Sequence, residues 1–326
     1  MSVPPWAVYW VALSHIPRWK TEKINSLLEK ILEQKMSFPD FFHLDSDRFQ
    51  KEFDLNEIEV TDIQSITEAL PSLSFVVEEL YDQGFEIVSF NSKAYSQTLR
   101  HHLGRKCSPP ILYLKGNREL LNQPSVALVG SRNASSLSLL FTKTISQKMA
   151  RSGKVIINGF AKGVDRVALE SCLEVQGGSI AVLPQGILTV SSGLTSYYQA
   201  IIEGRLLVLS TFPPRIPWNV GLAMARNVYI YGLSDEIYVA ESGPEGGTWS
   251  GVVDGLKRGR KIYIRKPEKR EHNANLTLIT RGAIPVDLAG EPISESSAPP
   301  VEHKKEELPR SIKITQSTLP FPEKRE

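Results

Sequence analysis

The sequence has few cysteines and no long apolar segment. Cys107 and Cys172 are the two cysteines among 326 residues. Their separation fits no common metal-ligand spacing, so we expect reduced thiols, a cytoplasmic protein and no metal site. No apolar run approaches the ~20 residues that cross a bilayer. Since no basic residue precedes the apolar stretch near the N-terminus, we expect neither a secretory signal nor a membrane association.

Two common nucleotide-binding motifs are also absent. The apolar run and tight turn in "SVALVGSR" do not continue as G-x-G-x-x-G, and no acidic residue ends the following strand-like run, "KVIING". The chain contains no Walker A motif. These absences argue against a dinucleotide site and against nucleoside triphosphate chemistry, and we expect no cofactor.

The charged residues are distributed unevenly along the chain. The net charge is +2, but residues 125–290 contain 19 basic and 12 acidic residues, whereas residues 1–124 contain 13 basic and 17 acidic residues. A basic segment beside an acidic one favours a polyanionic partner for the basic segment. A chance asymmetry of solvated lysines is the alternative.

Both ends of the chain differ in pattern from its middle. Residues 1–85 predict a small helical domain, because apolar residues recur at helical spacing over residues 20–36, 62–70 and 74–85. Gly84 is placed as a helix stop. Residues 291–326 contain six prolines and scattered charge, which predicts a disordered tail.

Residues 86–290 predict an α/β fold, an extended Rossmann-like core with a doubly wound, mostly parallel sheet. Strand-like runs alternate with segments of helical spacing, and most of the runs are continuously apolar, as in strands buried on both faces. A short strand at 86–90 and an apolar run at 109–116 precede the core. The core strands are predicted at 126–130, 154–159, 179–184, 206–210, 236–242 and 261–266.

Two successive loops at the carboxyl ends of predicted strands combine glycines with a cation. Ligands of parallel sheets bind at this edge, and a glycine-rich turn that exposes amides beside a long cationic side chain favours an anion. A small-residue turn with a solvated lysine is the alternative. The candidate site residues in these loops are Gly130, Ser131, Arg132, Gly159, Lys162 and Gly163.

A third loop, "SGPEGGTWSG", contains Gly246, Gly247 and Thr248, whose amides are expected to cradle a phosphate. The loop resembles the glycine-rich motif of nucleotide phosphoribohydrolases, the lysine-decarboxylase-like proteins. Their catalytic glutamate would fall at Gly251. Without that carboxylate, N-glycosidic hydrolysis loses its general acid or base, and we expect no catalytic residue here.

A small-nucleotide site is the alternative function. In that case the protein is a nucleotide-binding sensor or an N-glycosidic hydrolase that uses the same loops for one ribose phosphate. Its discriminating feature is a carboxylate beside the glycine-rich loop, for which Glu241 and Glu245 are candidates. A purely structural protein with docking surfaces at both ends is a third possibility.

Several motifs in order resemble the DprA/Smf family of bacterial DNA-processing proteins. The resemblance extends over about residues 6–288 and is specific because the motifs recur in the family's order and spacing. The segments that carry it are "VALVGSRNAS", "INGFAKGVD", "GSIAVLPQGI", "ARNVYIYGLS", "EGGTWSG", "GRKIYI" and "NLTLITRGA".

The resemblance implies a homodimer that binds single-stranded DNA, protects incoming strands during natural transformation and hands them to the RecA recombinase. Such a protein is a stoichiometric binder and not an enzyme. By position, Arg132 and Lys162 match basic residues that the family uses on the DNA backbone. Arg226 and Asn227 match its Arg-Asn pair, for which a capped and salt-bridged core helix is the alternative. Trp249 is expected to stack on a base or to pack in the core, as is a tyrosine of "NVYIYG".

The chain also departs from the family pattern. Leu169 replaces a histidine, Thr211 replaces a glutamate, and residues 191–196 replace a segment with a further DNA-facing lysine. No winged-helix pattern is evident in the tail. These departures predict weaker binding of single strands, and the transfer to RecA is implied by the resemblance alone.

Overall fold

The computed structural model describes residues 3–293. The tail predicted to be disordered lies, from residue 294 onward, outside the described residues. Within residues 3–293, no helix is both long and apolar enough to cross a membrane.

Five helices precede the first strand and bury the apolar stripes expected from the sequence. In the second helix Ile24, Leu27, Leu28 and Ile31 are buried. The two apolar segments predicted near residues 62–85 form one continuous helix that contains Pro71. The helices are α1 (Ala7–Ser14), α2 (Thr21–Glu33), α3 (Phe38–Phe42), α4 (Ser46–Phe53) and α5 (Glu57–Asp82).

The remaining helices connect or flank the strands. They are α6 (Gln97–Cys107), α7 (Ser136–Arg151), α8 (Val164–Glu174), α9 (Ser191–Leu194), α10 (Tyr198–Ile202), α11 (Val220–Leu233), α12 (Gly247–Lys257) and α13 (Asn275–Thr280). Three short 3₁₀ helices lie at Arg118–Asn122, Ile187–Thr189 and Thr195–Tyr197.

Within residues 3–293, nine strands form one sheet. They are β1 (Glu86–Ser89), β2 (Ile111–Gly116), β3 (Ser125–Val129), β4 (Val155–Asn158), β5 (Ser179–Val182), β6 (Leu206–Ser210), β7 (Glu236–Val239), β8 (Ile262–Arg265) and β9 (Ile284–Val286). Their order is β1-β2-β6-β5-β4-β3-β7-β8-β9. All neighbours from β6 to β9 pair in parallel, while β1 and β2 are antiparallel at one edge. The predicted mostly parallel sheet is confirmed.

Helices cover both faces of the sheet, as a doubly wound fold requires. On one face α7 and α8 pack against alternate strand residues such as Val126, Leu128 and Ile156. On the other face α6, α11 and α12 pack against residues such as Ala127 and Ile157. Burying one aliphatic side chain stabilises a fold by about 1.5–3 kcal/mol. This double coverage explains why the strands are continuously apolar in sequence.

The strand order reverses at β3, which lies between β4 and β7. The chain first builds β4, β5 and β6 on one side of β3. It then returns through α11, which packs against β3, β4 and β5, to place β7 on the other side. In parallel sheets such a reversal opens a crevice at the carboxyl ends of the strands.

Candidate nucleic-acid interface

A cavity of about 400 Å³ opens at this reversal point, above the carboxyl ends of β3 and β7. Eight of the eleven residues that the sequence predicts for the site line it. They are Gly130, Ser131, Arg132, Arg226, Asn227, Gly246, Gly247 and Thr248. Gly159, Lys162 and Gly163 do not line the cavity, although Ala161 of the same loop does.

The loop after β3 is held tightly against its neighbours. A Cβ atom at Gly130 would lie 2.6 Å from Cγ2 of Val164 and 3.2 Å from the carbonyl oxygen of Glu241, so only glycine fits there. The Ser131 amide donates to the Glu241 carbonyl oxygen at 2.9 Å. That amide is therefore used within the protein and is not a free anion donor as the sequence analysis expects.

The loop after β4 also uses its amides internally. The Phe160 amide donates to Oδ1 of Asn158 at 3.0 Å, and the Ala161 amide donates to Oδ2 of Asp165 at 3.4 Å. Gly163 has φ +75°, and a Cβ atom on it would lie 2.5 Å from the Ser131 carbonyl oxygen. Gly163 therefore allows the loops after β3 and β4 to approach each other closely. The expectation that this loop exposes unbonded amides is wrong for Phe160 and Ala161.

The start of α12 supplies the cavity's backbone donors. Gly246 is the N-cap residue, and no side chain caps this eleven-residue helix. Gly247 packs closely on Asn227, because a Cβ atom at Gly247 would lie 2.6 Å from Nδ2 of Asn227 and would displace that side chain. An uncapped helix start leaves amides and a positive dipole end directed at whatever occupies the cavity.

Arg226 forms part of the cavity wall and is 3% exposed. Its Nη1 donates to the carbonyl oxygens of Gly159 and Val182, which lie beyond β4 and at the end of β5. Its Nε is buried and has no partner among residues 3–293. Arg226 therefore links neighbouring strand ends through carbonyl oxygens, not through the salt bridge that the core-helix alternative expects, and one of its donors stays unused.

The cavity lining contains two arginines, Arg132 and Arg226, and two carboxylates, Asp165 and Glu245. Burial lowers the pKa of Arg226 to about 10, an effect that Asp165 opposes and Arg132 reinforces. Burial raises the pKa of Asp165, and the charge of Arg226 counteracts that rise. Within the part of the chain that the structure describes, no carboxylate forms an ion pair with Arg132 or Lys162, and both side chains are exposed. An anion that enters the cavity relieves the repulsion between the two arginines.

Other cavity residues lie outside the list of predicted site residues. Tyr231, one of the two tyrosines of "NVYIYG" suggested for base stacking, lines the cavity, and its buried hydroxyl has no partner among residues 3–293. Asp165 and Ala161 also line the cavity, and Val220 and Met224 border its mouth. Asp165 could be noticed from its place in the first turn of α8, whereas hydrophobic residues at helical spacing are read as core.

The residue suggested for base stacking, Trp249, lies elsewhere. Its ring is partly buried against the core, and the Arg281 guanidinium carbon is 4.9 Å from the ring centroid. The core interpretation therefore describes Trp249 better.

The carboxylates that a hydrolase would need are poorly placed. A Cβ atom at Gly251 would lie 2.7 Å from Cε2 of Tyr231, so a glutamate does not fit there. The Glu241 carboxylate accepts from the Ser135 amide at 3.0 Å and from the Ser138 hydroxyl at 2.8 Å, and so caps α7. Glu245 lines the cavity. Among residues 3–293 no three His, Cys, Asp or Glu side chains group as metal ligands.

Comparison with known proteins gives one family match. The family described as DNA recombination-mediator protein A matches residues 86–296, more than half of the chain.

Three relatives show the extent of the sequence similarity. The protein Smf of Synechocystis is 34% identical over 183 residues, 54% of this chain and 46% of the relative. The DNA processing protein DprA of Streptococcus pneumoniae is 31% identical over 156 residues, 48% of this chain and 55% of the relative. DprA of Bacillus subtilis is 24% identical over 199 residues, 61% and 66% of the two chains. The chain therefore spans about half to two thirds of the length of these relatives.

Two solved structures share the fold. The X-ray structure of DprA from Streptococcus pneumoniae superposes with a TM-score of 0.66 at 23% identity, covering 88% of this chain and 95% of that one. A structure of DprA from Helicobacter pylori, which concerns the single-stranded DNA binding mode of that protein, has a TM-score of 0.52 at 25% identity. It covers 62% of this chain and 90% of that one.

Proposed function

The chain belongs to the DNA recombination-mediator protein A family, and from this membership we propose that it binds single-stranded DNA at the cavity between β3, β7 and the start of α12. The role proposed is that of a stoichiometric binder, without catalysis, that protects strands during natural transformation. The Helicobacter pylori relative, whose structure concerns single-stranded DNA binding, supports this ligand.

The observation that carries the proposal is the meeting of two arginines with an uncapped helix start in one cavity. Arg132 lies on the exposed rim, and Arg226 lies in the wall with an unused donor. The α12 amides face the same space. The donors outnumber the carboxylates, which favours a phosphate ligand.

Further family roles are part of the proposal. We propose that the protein acts in the cytoplasm as a homodimer and loads RecA on the bound strand. A RecA filament-formation assay on strands covered by single-strand-binding protein tests the last step, with and without this protein. Analytical ultracentrifugation tests the dimer.

A gel-shift comparison tests the central proposal. The protein is expected to retard a labelled oligonucleotide strongly at moderate salt. The same oligonucleotide annealed to its complement is expected to be retarded weakly, since pairing hides the bases and stiffens the backbone. Equal retardation of both forms contradicts a single-strand binder.

The small-nucleotide alternative is supported by the cavity volume and by the carboxyl groups of Asp165 and Glu245 in its lining. Incubation with nucleoside monophosphates separates the two functions. Release of free base identifies a hydrolase, whereas tight binding of a monophosphate that oligonucleotides do not displace identifies a sensor.

A further inference from the structure

Three apolar side chains lie exposed along one side of the cavity mouth. Trp218 is 46% exposed, Val220 is 66% exposed and Met224 is 38% exposed. Val220 and Met224 line the cavity itself. The Trp218 ring lies beside Arg132, whose guanidinium carbon is 5.7 Å from the ring centroid. These three residues are called the Trp218 shelf below.

The shelf is built on fixed backbone. Asn219 caps α11, and its side-chain oxygen accepts from the Leu222 amide at 2.9 Å, so Val220 is the first helical residue and Met224 lies one turn further on the same face. The segment before Trp218 is tied down by the Gly186 amide, which donates to the carbonyl oxygen of Ile216 at 2.8 Å. The apolar exposure is therefore a property of an ordered surface.

The shelf connects the two sides of the mouth. At one end the Trp218 ring meets the loop after β3 through Arg132. At the other end a Cβ atom at Gly247 would lie 3.4 Å from Sδ of Met224, so the shelf reaches the start of α12. A ligand group that lies on the shelf is thus within the region where the cations and the helix amides face the cavity.

We propose that the Trp218 shelf is a stacking platform for an unpaired nucleobase of the strand, while Arg132 contacts a neighbouring phosphate. This inference rests on the proposed function and names the feature of DNA that the site reads. A flat indole next to a guanidinium complements a base next to a phosphate. The indole stacks on the base, and the guanidinium attracts the phosphate by its charge. A duplex covers its base faces by stacking, so the shelf favours single strands.

A comparison of a thymidine oligonucleotide with an abasic oligonucleotide of the same length tests the shelf. Both carry the same phosphates, and only the first has bases. Trp218→Ala is expected to weaken binding of the thymidine strand by at least about fivefold, given the usual size of base–aromatic stacking. Its binding of the abasic strand is expected to stay close to that of the unaltered protein. Trp218→Phe keeps a ring and is expected to restore most of the loss.

Two further variants control this experiment. Phe75→Ala removes a more exposed aromatic side chain, 71% exposed on α5, and is expected to bind both strands normally. Arg132→Ala is expected to weaken binding of both strands by a similar factor, because it removes a phosphate contact. Thermal unfolding of each variant checks that the fold is intact.

The outcomes separate the shelf from the proposed function. If the unaltered protein binds both strands and Trp218→Ala binds the thymidine strand as tightly, the shelf is refuted and the proposed function stands. If the unaltered protein binds neither strand, the proposed function fails and the shelf loses its ligand. If Trp218→Ala loses thymidine-strand binding and keeps abasic-strand binding, while Trp218→Phe stays near normal, the shelf is supported.

Discussion

Two exposed cations in adjacent loops, Arg132 and Lys162, differ in their relation to the cavity. Arg132 lines the cavity, while Lys162 does not, although the neighbouring residue Ala161 does. A strand longer than the cavity extends past its rim, and each phosphate neutralised on a single strand contributes about −0.7 to the slope of log affinity against log salt.

We therefore expect Arg132→Ala and Lys162→Ala each to flatten that slope by about 0.7 for an oligonucleotide. For a single nucleotide, which fills the cavity alone, only Arg132→Ala is expected to weaken binding. Fluorescence anisotropy over a salt series measures the first effect, and competition with a nucleoside monophosphate measures the second.

Lys51→Ala is the matched control, because Lys51 is an exposed lysine on α4 in the acidic part of the chain. Its slope is expected to equal that of the unaltered protein. Unchanged slopes in both Arg132→Ala and Lys162→Ala would show that no backbone runs along this rim.

At the scale of elements, the site depends on the contact between the loop after β3 and the start of α8. Gly163 provides this contact with φ +75°, and its Cβ atom would meet the Ser131 carbonyl oxygen. Gly84, which follows α5, has φ +76° and nothing within 4 Å of its Cβ position. Both glycines have a left-handed φ, but only at Gly163 would a side chain collide with neighbouring atoms.

Alanine at either glycine is expected to destabilise the fold by about 1 kcal/mol through backbone strain. Gly163→Ala is expected to lose about 1–3 kcal/mol more, because the loops must separate. Urea denaturation measures this difference. Oligonucleotide binding is expected to weaken in Gly163→Ala and to stay normal in Gly84→Ala, and equal losses of stability would contradict the role of this contact.

At the scale of the whole molecule, a histidine joins the N-terminal helices to the sheet. His15 follows α1, and its ring stacks on Tyr113 of β2 with Nε2 2.9 Å from the tyrosine hydroxyl. Burial lowers the pKa of His15 to about 3. In the unfolded chain a histidine titrates near 6.5. Below that pH the unfolded chain binds a proton that the folded protein does not.

The free energy of unfolding is therefore expected to fall as the pH drops from about 6.5 toward 3. Between pH 7 and pH 5 we expect His15 to account for a loss of about 1 kcal/mol, roughly half the full linkage value, because the ring is partly exposed. Urea unfolding at both pH values measures it. His15→Gln is expected to remove this part of the pH dependence, whereas His272→Gln, at an exposed position, is expected to leave it unchanged.

The sequence predicts the central strands well, but it predicts the edge strand β9 and the long helix α5 poorly. Continuous apolar runs identified six core strands because burial on both faces leaves no polar alternation. The pattern missed β9, a three-residue strand containing Pro285, because so short a segment has no period. It also divided α5 at Pro71, since proline usually ends a helix.

What the sequence by itself determined is the parallel α/β core and the three loops that meet at its carboxyl edge, because local apolar periodicity and glycine placement are readable from neighbours in the chain. Only the tertiary structure decided what the loop residues do. In the folded protein, Arg226 lies in the cavity wall and donates to two carbonyl oxygens. The amides of Ser131 and Phe160 form hydrogen bonds within the protein, and Trp218 lies at the cavity mouth beside Arg132. These outcomes depend on which strand ends become neighbours, and that is fixed by the packing of elements far apart in the chain.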